Sequence, residues 1–204
     1  MFEDNVGAQG MIGLMETSGA LLSGHFVLSS GLHSDKYIQC ALLLEMPDRA
    51  ELVGRTLARQ VEGTLGLGAV DVVANPAMGG IIIGHEVARA LGVRCVFTER
   101  VDGAMTLRRG FRIRRGERVL VVEDVVTTGG STKEVMGAVS ALGGVIAAAG
   151  AVVDRGGGRA LGIPFAYLVR AEIENYSPEV CPMCKAGMRL TKPGSRTTQE
   201  AEGR

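Results

Sequence analysis

The chain has 204 residues, enough for one domain with a small elaboration and for a core that buries most of its apolar surface. Lys+Arg and Asp+Glu both number 22, so the net charge is zero, which argues against a dedicated nucleic-acid partner. The acidic start MFEDNVGAQG lacks the basic and apolar regions of a signal peptide, no apolar run approaches the roughly 18 residues of a membrane span, and four Cys are too few for a disulfide framework, so a cytoplasmic protein without a membrane partner is expected.

Val6 to Ser18 has the pattern of a helix, and His25 to Leu44 mixes strand and turn signals. Residues 1–45 therefore read as a small hood segment over one end of a sheet. Pro47 to Leu65 is expected as a helix, with Asp48 and Glu51 in its first turn and Leu52, Leu57 and Val61 at helical spacing. Val70 to Ala74 is a short apolar run that suits a buried strand. Gly80 to Leu91 follows as a helix closed by Gly92, and Val93 to Phe97 and Val119 to Val122 are the next strands. Ser131 to Leu142 carries Val135, Val139 and Leu142 on one helical face and ends at Gly143–Gly144. Val145 to Val153 and Phe165 to Val169 complete the pattern. Such alternation predicts an α/β fold, a central parallel sheet flanked by helices, with its core over residues 46–180. The polar tail, 181–204, reads as loose.

In parallel sheets ligands gather at the carboxyl ends of the strands, and each predicted strand end is chemically unusual. After Val122 come two acids, Glu123 and Asp124, then Val125, Val126 and the turn Thr127, Thr128, Gly129, Gly130, Ser131. Backbone N–H groups in a Gly-rich turn at a helix N-terminus cradle a phosphate, and the hydroxyls add donors. The carboxylates suit ribose hydroxyls or a metal that bridges to phosphates. An acid pair beside an anion cradle therefore matches a sugar phosphate. After Ala74, the sequence Asn75-Pro76-Ala77-Met78-Gly79-Gly80 opens a helix and offers a second anion turn. After Phe97, residues 100–118 hold seven Arg (100, 108, 109, 112, 114, 115, 118) against two acids, as a basic cover over a leaving anion would. A solvated charge run or a hairpin is the plain alternative. After Val153, Asp154 and Arg155 precede three glycines; Arg155 can fork onto a carboxylate, or the two can form a structural ion pair.

The run RVLVVEDVVTTGGS, Arg118 to Ser131, resembles the phosphoribosyl pyrophosphate motif of the type I phosphoribosyltransferases. Over roughly residues 15–185 the chain is most similar to the orotate phosphoribosyltransferases. The hood segment Gly24-His25-Phe26-Val27-Leu28-Ser29-Ser30-Gly31-Leu32-His33-Ser34-Asp35-Lys36-Tyr37, the VVDRGGG stretch and the later CPMC carry that likeness. The resemblance implies the type I phosphoribosyltransferase fold with a small hood formed by the N- and C-terminal segments. It also implies transfer of the phosphoribosyl group from phosphoribosyl pyrophosphate to N1 of orotate, with release of pyrophosphate. It makes Glu123, Asp124 and Arg100 the catalytic residues. Glu123 and Asp124 would hold the ribose, Val125 to Ser131 the 5′-phosphate, and Met78, Gly79 and Arg100 the pyrophosphate. Thr127, Arg155 and Tyr37 would meet orotate. Mg²⁺ would arrive with the substrate, with Asp124 as its nearest protein ligand, and the protein would be a homodimer.

The chain departs from the family pattern at three cations. Met78–Gly79 and Ser29 stand where many members have Lys, and Glu99-Arg100-Val101-Asp102-Gly103-Ala104-Met105 lacks the usual loop Lys and His, leaving Arg108, Arg109 or Arg112 as substitutes. Two other readings stay open: transfer to a purine or another base, and a non-catalytic sensor of phosphoribosyl pyrophosphate. His25, His33 and His85 are isolated in the sequence; His85 reads as packed or exposed, and His33 as a minor site candidate. Cys181-Pro182-Met183-Cys184 has the spacing of a zinc-ligand pair, but no second such pair exists, so thiols or a redox pair are the expectation.

Overall fold

A computed structural model describes residues 6–28 and 30–193. Ser29 of the hood segment and the tail from residue 194 onward lie outside the described residues. In chain order the elements are α1 (Ala8–Thr17), β1 (Leu21–Val27), β2 (His33–Ile38), α2 (Cys40–Leu44), α3 (Pro47–Leu65), β3 (Val72–Pro76), α4 (Gly80–Leu91), β4 (Arg94–Val101), β5 (Ala104–Leu107), β6 (Arg118–Val126), α5 (Gly130–Ala141), β7 (Val145–Asp154), β8 (Phe165–Arg170), β9 (Asn175–Tyr176) and α6 (Pro182–Lys185). No helix among the described residues is long and apolar enough to cross a membrane.

Among the described residues two compact units result, one from 6–20 and 39–172, the other from 21–38 and 173–193. The sequence reading put the breaks after residues 45 and 180 instead. The difference arises at α1 and α2, which bury Met11, Met15, Leu43 and Leu44 within the first unit. It also arises at β9, a two-residue strand that pairs with β2 and carries no sequence signal of its own.

The first unit holds a six-stranded sheet in the order β5-β4-β3-β6-β7-β8, parallel apart from β5. Alternate residues of each strand face opposite sides. Val72, Ala74, Val119, Val121 and Ala149 face α5, where Val135 and Val139 complete one core layer. α3 and α4 cover the opposite face. There a Cβ at Gly54 would stand 2.4 Å from the Glu86 Cβ. Gly54 is thus what lets α3 and α4 approach so closely. Pro47 at the first turn of α3 and Gly92 in the left-handed region after α4 explain why those two helices end where the sequence indicates.

Two strands run further than their apolar cores suggest. β6 continues through the acid pair to Val126, and β4 continues to Val101. There Asp102 (φ 49°) and Gly103 (φ 85°) turn the chain back into antiparallel β5. Paired positive φ values at an Asp-Gly step suit a tight hairpin, so the first part of the basic segment is a hairpin.

The chain leaves β3 toward β4 on one side, and β6, β7 and β8 follow on the other. The switch point therefore lies between β3 and β6, where the crevice outside the strand ends admits ligands. The second unit contains the three-stranded sheet β1-β2-β9, and Thr191 bridges to Phe26 of β1.

Candidate active site

Because β6 stays extended through Glu123 and Asp124, their side chains leave opposite faces of the strand. Glu123 lines a cleft of about 250 Å³ together with Val125, Val126, Thr127, Thr128, Gly129, Gly130 and Ser131. Asp124 faces the turn after β3, where a Cβ on Gly79 would lie 2.6 Å from its Oδ2 and 2.8 Å from its Cγ. Gly79 has ordinary helical angles (φ −58°), so a glycine is needed there for space and not for conformation. The two anion turns thus meet at the switch point, with one carboxylate directed toward each. Met78 is 84% exposed at the lip of the second turn, and the Ala77–Met78 peptide is cis.

The phosphate turn is held from beneath. Gly129 sits in the left-handed region (φ 78°) just before α5 begins at Gly130. A Cβ at Gly157 would stand 2.4 Å from the Thr127 carbonyl oxygen, so the glycine run after β7 packs directly under the loop. Arg155 N–H donates to the Val126 carbonyl (2.8 Å), which brings the end of β7 alongside the end of β6.

Electrostatically the acid pair lacks compensation. Burial, reinforced by the neighbouring Asp124 charge, pushes the Glu123 carboxyl up to about 8. Its Oε2 is buried without a hydrogen-bond partner. Burial also raises the Asp124 carboxyl, opposed by the Val125 N–H that donates to Oδ1 at 2.9 Å. Two half-buried carboxylates that resist ionisation suit a ligand bringing hydroxyl donors or a cation.

The cations divide into those already engaged and those that remain. Arg100 pairs with Glu134 of α5 (2.7 Å), a residue lining the phosphate cleft, and so reaches that cleft's rim. Arg109 clamps Glu99 through two bonds of 2.8 and 2.9 Å, and Arg118 clamps Asp71 through bonds of 2.6 and 2.9 Å. Arg114 lies 3.9 Å from Glu117. Arg108 and Arg112 are exposed and take part in no ion pair among the described residues. The adjacent Asp154 and Arg155 do not form an ion pair. Asp154 is buried and accepts from Arg170 (2.9 Å) and from the Gly156 and Gly158 N–H groups (2.9 and 3.1 Å), while Arg155 is half-buried with its pKa lowered by burial. β7 ends at Asp154 and Arg155 begins the bend that follows, which adjacency in the sequence conceals. Tyr37 lies on β2 of the second unit, its ring 6.0 Å from that of Phe26.

The sequence reading missed Glu134 and Gly157. Neither carries a local signal, since their roles exist only once α5 faces the β4 end and β7 lies beside β6. His85 is exposed beside Glu86 (3.5 Å), in line with its reading as a packed or surface residue.

The fold and this constellation define an α/β protein built to hold a phosphorylated sugar at a switch point. The family model described as a phosphoribosyl transferase domain matches residues 43–162. The orotate phosphoribosyltransferase of Pelotomaculum thermopropionicum is 55% identical over 187 residues, 91% of this chain and 96% of that relative. The enzyme of the same name from Thermotoga maritima is 47% identical over 184 residues, 90% and 96% of the two chains. The crystal structure of orotate phosphoribosyltransferase from Aeropyrum pernix matches with a TM-score of 0.65 at 27% identity, covering 79% of this chain and 94% of that one. The chain belongs to the orotate phosphoribosyltransferase family.

Proposed function

We propose that this chain transfers the phosphoribosyl group of 5-phosphoribosyl 1-pyrophosphate to N1 of orotate, forming the N1–C1′ bond of orotidine 5′-monophosphate as the C1′–O bond to pyrophosphate breaks and the N1 proton is released. The observation that supports it best is the meeting of the two anion turns at the β3–β6 switch point, with Glu123 over one and Asp124 against the other. In this reading the N–H groups and hydroxyls from Thr127 to Ser131 hold the 5′-phosphate at the start of α5. The ribose hydroxyls donate to Glu123 and Asp124, and by stabilising the ionised carboxylates they supply negative charge that favours positive charge developing at C1′. The pyrophosphate runs along Met78 and Gly79, with Arg100 at the rim to offset its charge. Arg155 forks onto the orotate carboxylate while Thr127 completes the base site.

The donor set suits a magnesium ion carried in with the pyrophosphate, because two carboxyls held above their usual range and one buried oxygen without a partner gain from a nearby cation. Asp124 would hold the ion, which when bound would shield the leaving group's charge. The same reading has the protein acting as a cytoplasmic homodimer.

The test is to supply the sugar donor and Mg²⁺ with orotate, uracil, hypoxanthine, xanthine or adenine in turn and to identify the nucleotide formed. Orotidine 5′-monophosphate from orotate alone is expected. Turnover of a purine but not of orotate would replace the acceptor, and no turnover with any base would leave a sensor of the sugar donor.

A further inference from the structure

Four side chains of the second unit that the activity does not use converge on one point. β1 supplies His25 and β2 supplies His33, while Cys181 and Cys184 flank the start of α6 and lie inside it, respectively. One ligand atom from each lies within 4.8 Å of all the others. His25 Nε2 is 2.9 Å from His33 Nδ1, 3.5 Å from Cys181 Sγ and 3.6 Å from Cys184 Sγ, and Cys184 Sγ is 3.2 Å from His33 Nδ1. Around a tetrahedral zinc ion, with Zn–N near 2.0–2.1 Å and Zn–S near 2.3 Å, nitrogen–nitrogen edges come to about 3.3 Å and nitrogen–sulfur edges to about 3.5 Å. These four edges depart from those values by no more than about 0.4 Å, and no two of the four ligand atoms are more than 4.8 Å apart.

We propose that His25, His33, Cys181 and Cys184 bind a structural Zn²⁺ that clamps the β1–β2 hairpin to the C-terminal segment.

Hydrogen bonding alone does not satisfy the cluster. His25 Nδ1 lies 3.0 Å from the Met188 carbonyl, which can only accept, so that nitrogen carries the hydrogen and Nε2 presents its lone pair to the cluster. If His33 Nδ1 is protonated, it competes with two thiols for that one lone pair. If it is not, two imidazole lone pairs oppose each other at 2.9 Å. A cation bound by both rings and by two thiolates removes the conflict. The Met188 carbonyl then serves as the outer partner that fixes the tautomer of a ligating histidine. Two nitrogens and two sulfurs with no open position are the donor set of a structural zinc site. Cys181 is fully buried and Cys184 exposed, so the site is enclosed yet has an entry path.

The unit also needs such a clamp. Its buried apolar side chains among the described residues are Phe26, Cys181 and Met183, and a core that small does not stabilise a folded segment without a staple. The backbone bonds between β1 and Thr191, from Val27 N–H to Thr191 O and from Thr191 N–H to His25 O, are 2.9 and 2.8 Å long. They join the same two segments that the metal would hold. The His–Cys ligand pairs stand 148 to 159 residues apart, so the link closes a long loop and removes much chain entropy from the unfolded state.

The test measures metal and not activity. Full-length protein purified under reducing conditions without chelator should contain about one zinc per chain by mass spectrometry of the elements, and C184S and H33A should contain almost none. Chelator-stripped wild type loaded with Co²⁺ should show the intense visible absorption of a tetrahedral thiolate site, and chelator should lower the melting temperature of wild type but not of C184S. Should the variants fail to fold, the wild-type cobalt spectrum decides alone. Reduced wild type that holds no zinc and gives no tetrahedral cobalt bands overturns the proposal, and so does a Cys181–Cys184 disulfide in the freshly purified protein.

Discussion

Replacing Glu123 by Gln tests the electrostatics of the acid pair, because it keeps the shape of the side chain and removes its ionisation. Burial and the Asp124 charge lift the Glu123 carboxyl from 4.5 to about 8. A carboxyl raised on folding contributes stability that is fully present below its unfolded value and is lost as pH rises through its folded value. The ligand-free wild type should therefore weaken between about pH 4.5 and 8 relative to E123Q. At about 1.36 kcal/mol per unit the full rise corresponds to roughly 5 kcal/mol, and the cleft's access to water reduces this to about 2 kcal/mol. For a chain of this size that amounts to roughly 4–8 °C in melting temperature. Melting curves of both proteins, without substrate, from pH 5 to 9 would show the gap widen with pH in favour of E123Q. Activity with the sugar donor should fall in the same variant, since an amide cannot replace the charge that faces the ribose. Parallel stability curves across that range would refute the reasoning, because they would mean that Glu123 ionises in the folded protein as readily as in the unfolded chain.

G79A should fold normally, since Gly79 has helical angles, but its Cβ would press on Asp124 Oδ2 at 2.6 Å. Displacing the carboxylate should cut kcat/KM for the sugar donor roughly tenfold to a hundredfold; wild-type kinetics would remove Asp124 from the site. R155A should raise KM for orotate far more than KM for the sugar donor, and equal effects on both would contradict its place in the base site. The double variant R108A/R112A removes two of the exposed arginines of the basic segment that are in no ion pair among the described residues and should lower kcat by about tenfold or more if they replace the missing lysines. Unchanged kcat would exclude them.

Much of the central sheet could be read from the chain. Runs such as Val119–Val122 and Val145–Val153 are apolar throughout because their strands are covered on both faces, and Pro47, Gly92 and Gly143 punctuate the helices between them. The Gly- and Thr-rich turn that opens α5 was equally legible, since its residues stand next to one another in sequence. The ends of β4 and β6 were not, because their polar C-terminal residues are extended by pairing with neighbouring strands and not by their own propensity. Which cation pairs with Asp154 was left open in the sequence for a related reason. Its partner is Arg170, sixteen residues away on the adjacent strand, and not Arg155 beside it.

By itself, the sequence determined the chemistry that local order can encode: an acid pair, a phosphate turn, a second Gly-rich turn and a basic segment, each at the end of a strand. Only the tertiary structure decided which of these meet, placing Asp124 against Gly79 and Arg100 against Glu134 while Arg109 turned to Glu99. It alone brought His25 and His33 to the Cys181–Cys184 pair, whose spacing suits a metal but points to no partner so far away in the sequence. The physical reason is the same throughout. Turn conformation and strand alternation depend on neighbours in the chain, whereas charge pairing and metal geometry depend on distances that strand pairing sets between residues far apart along it.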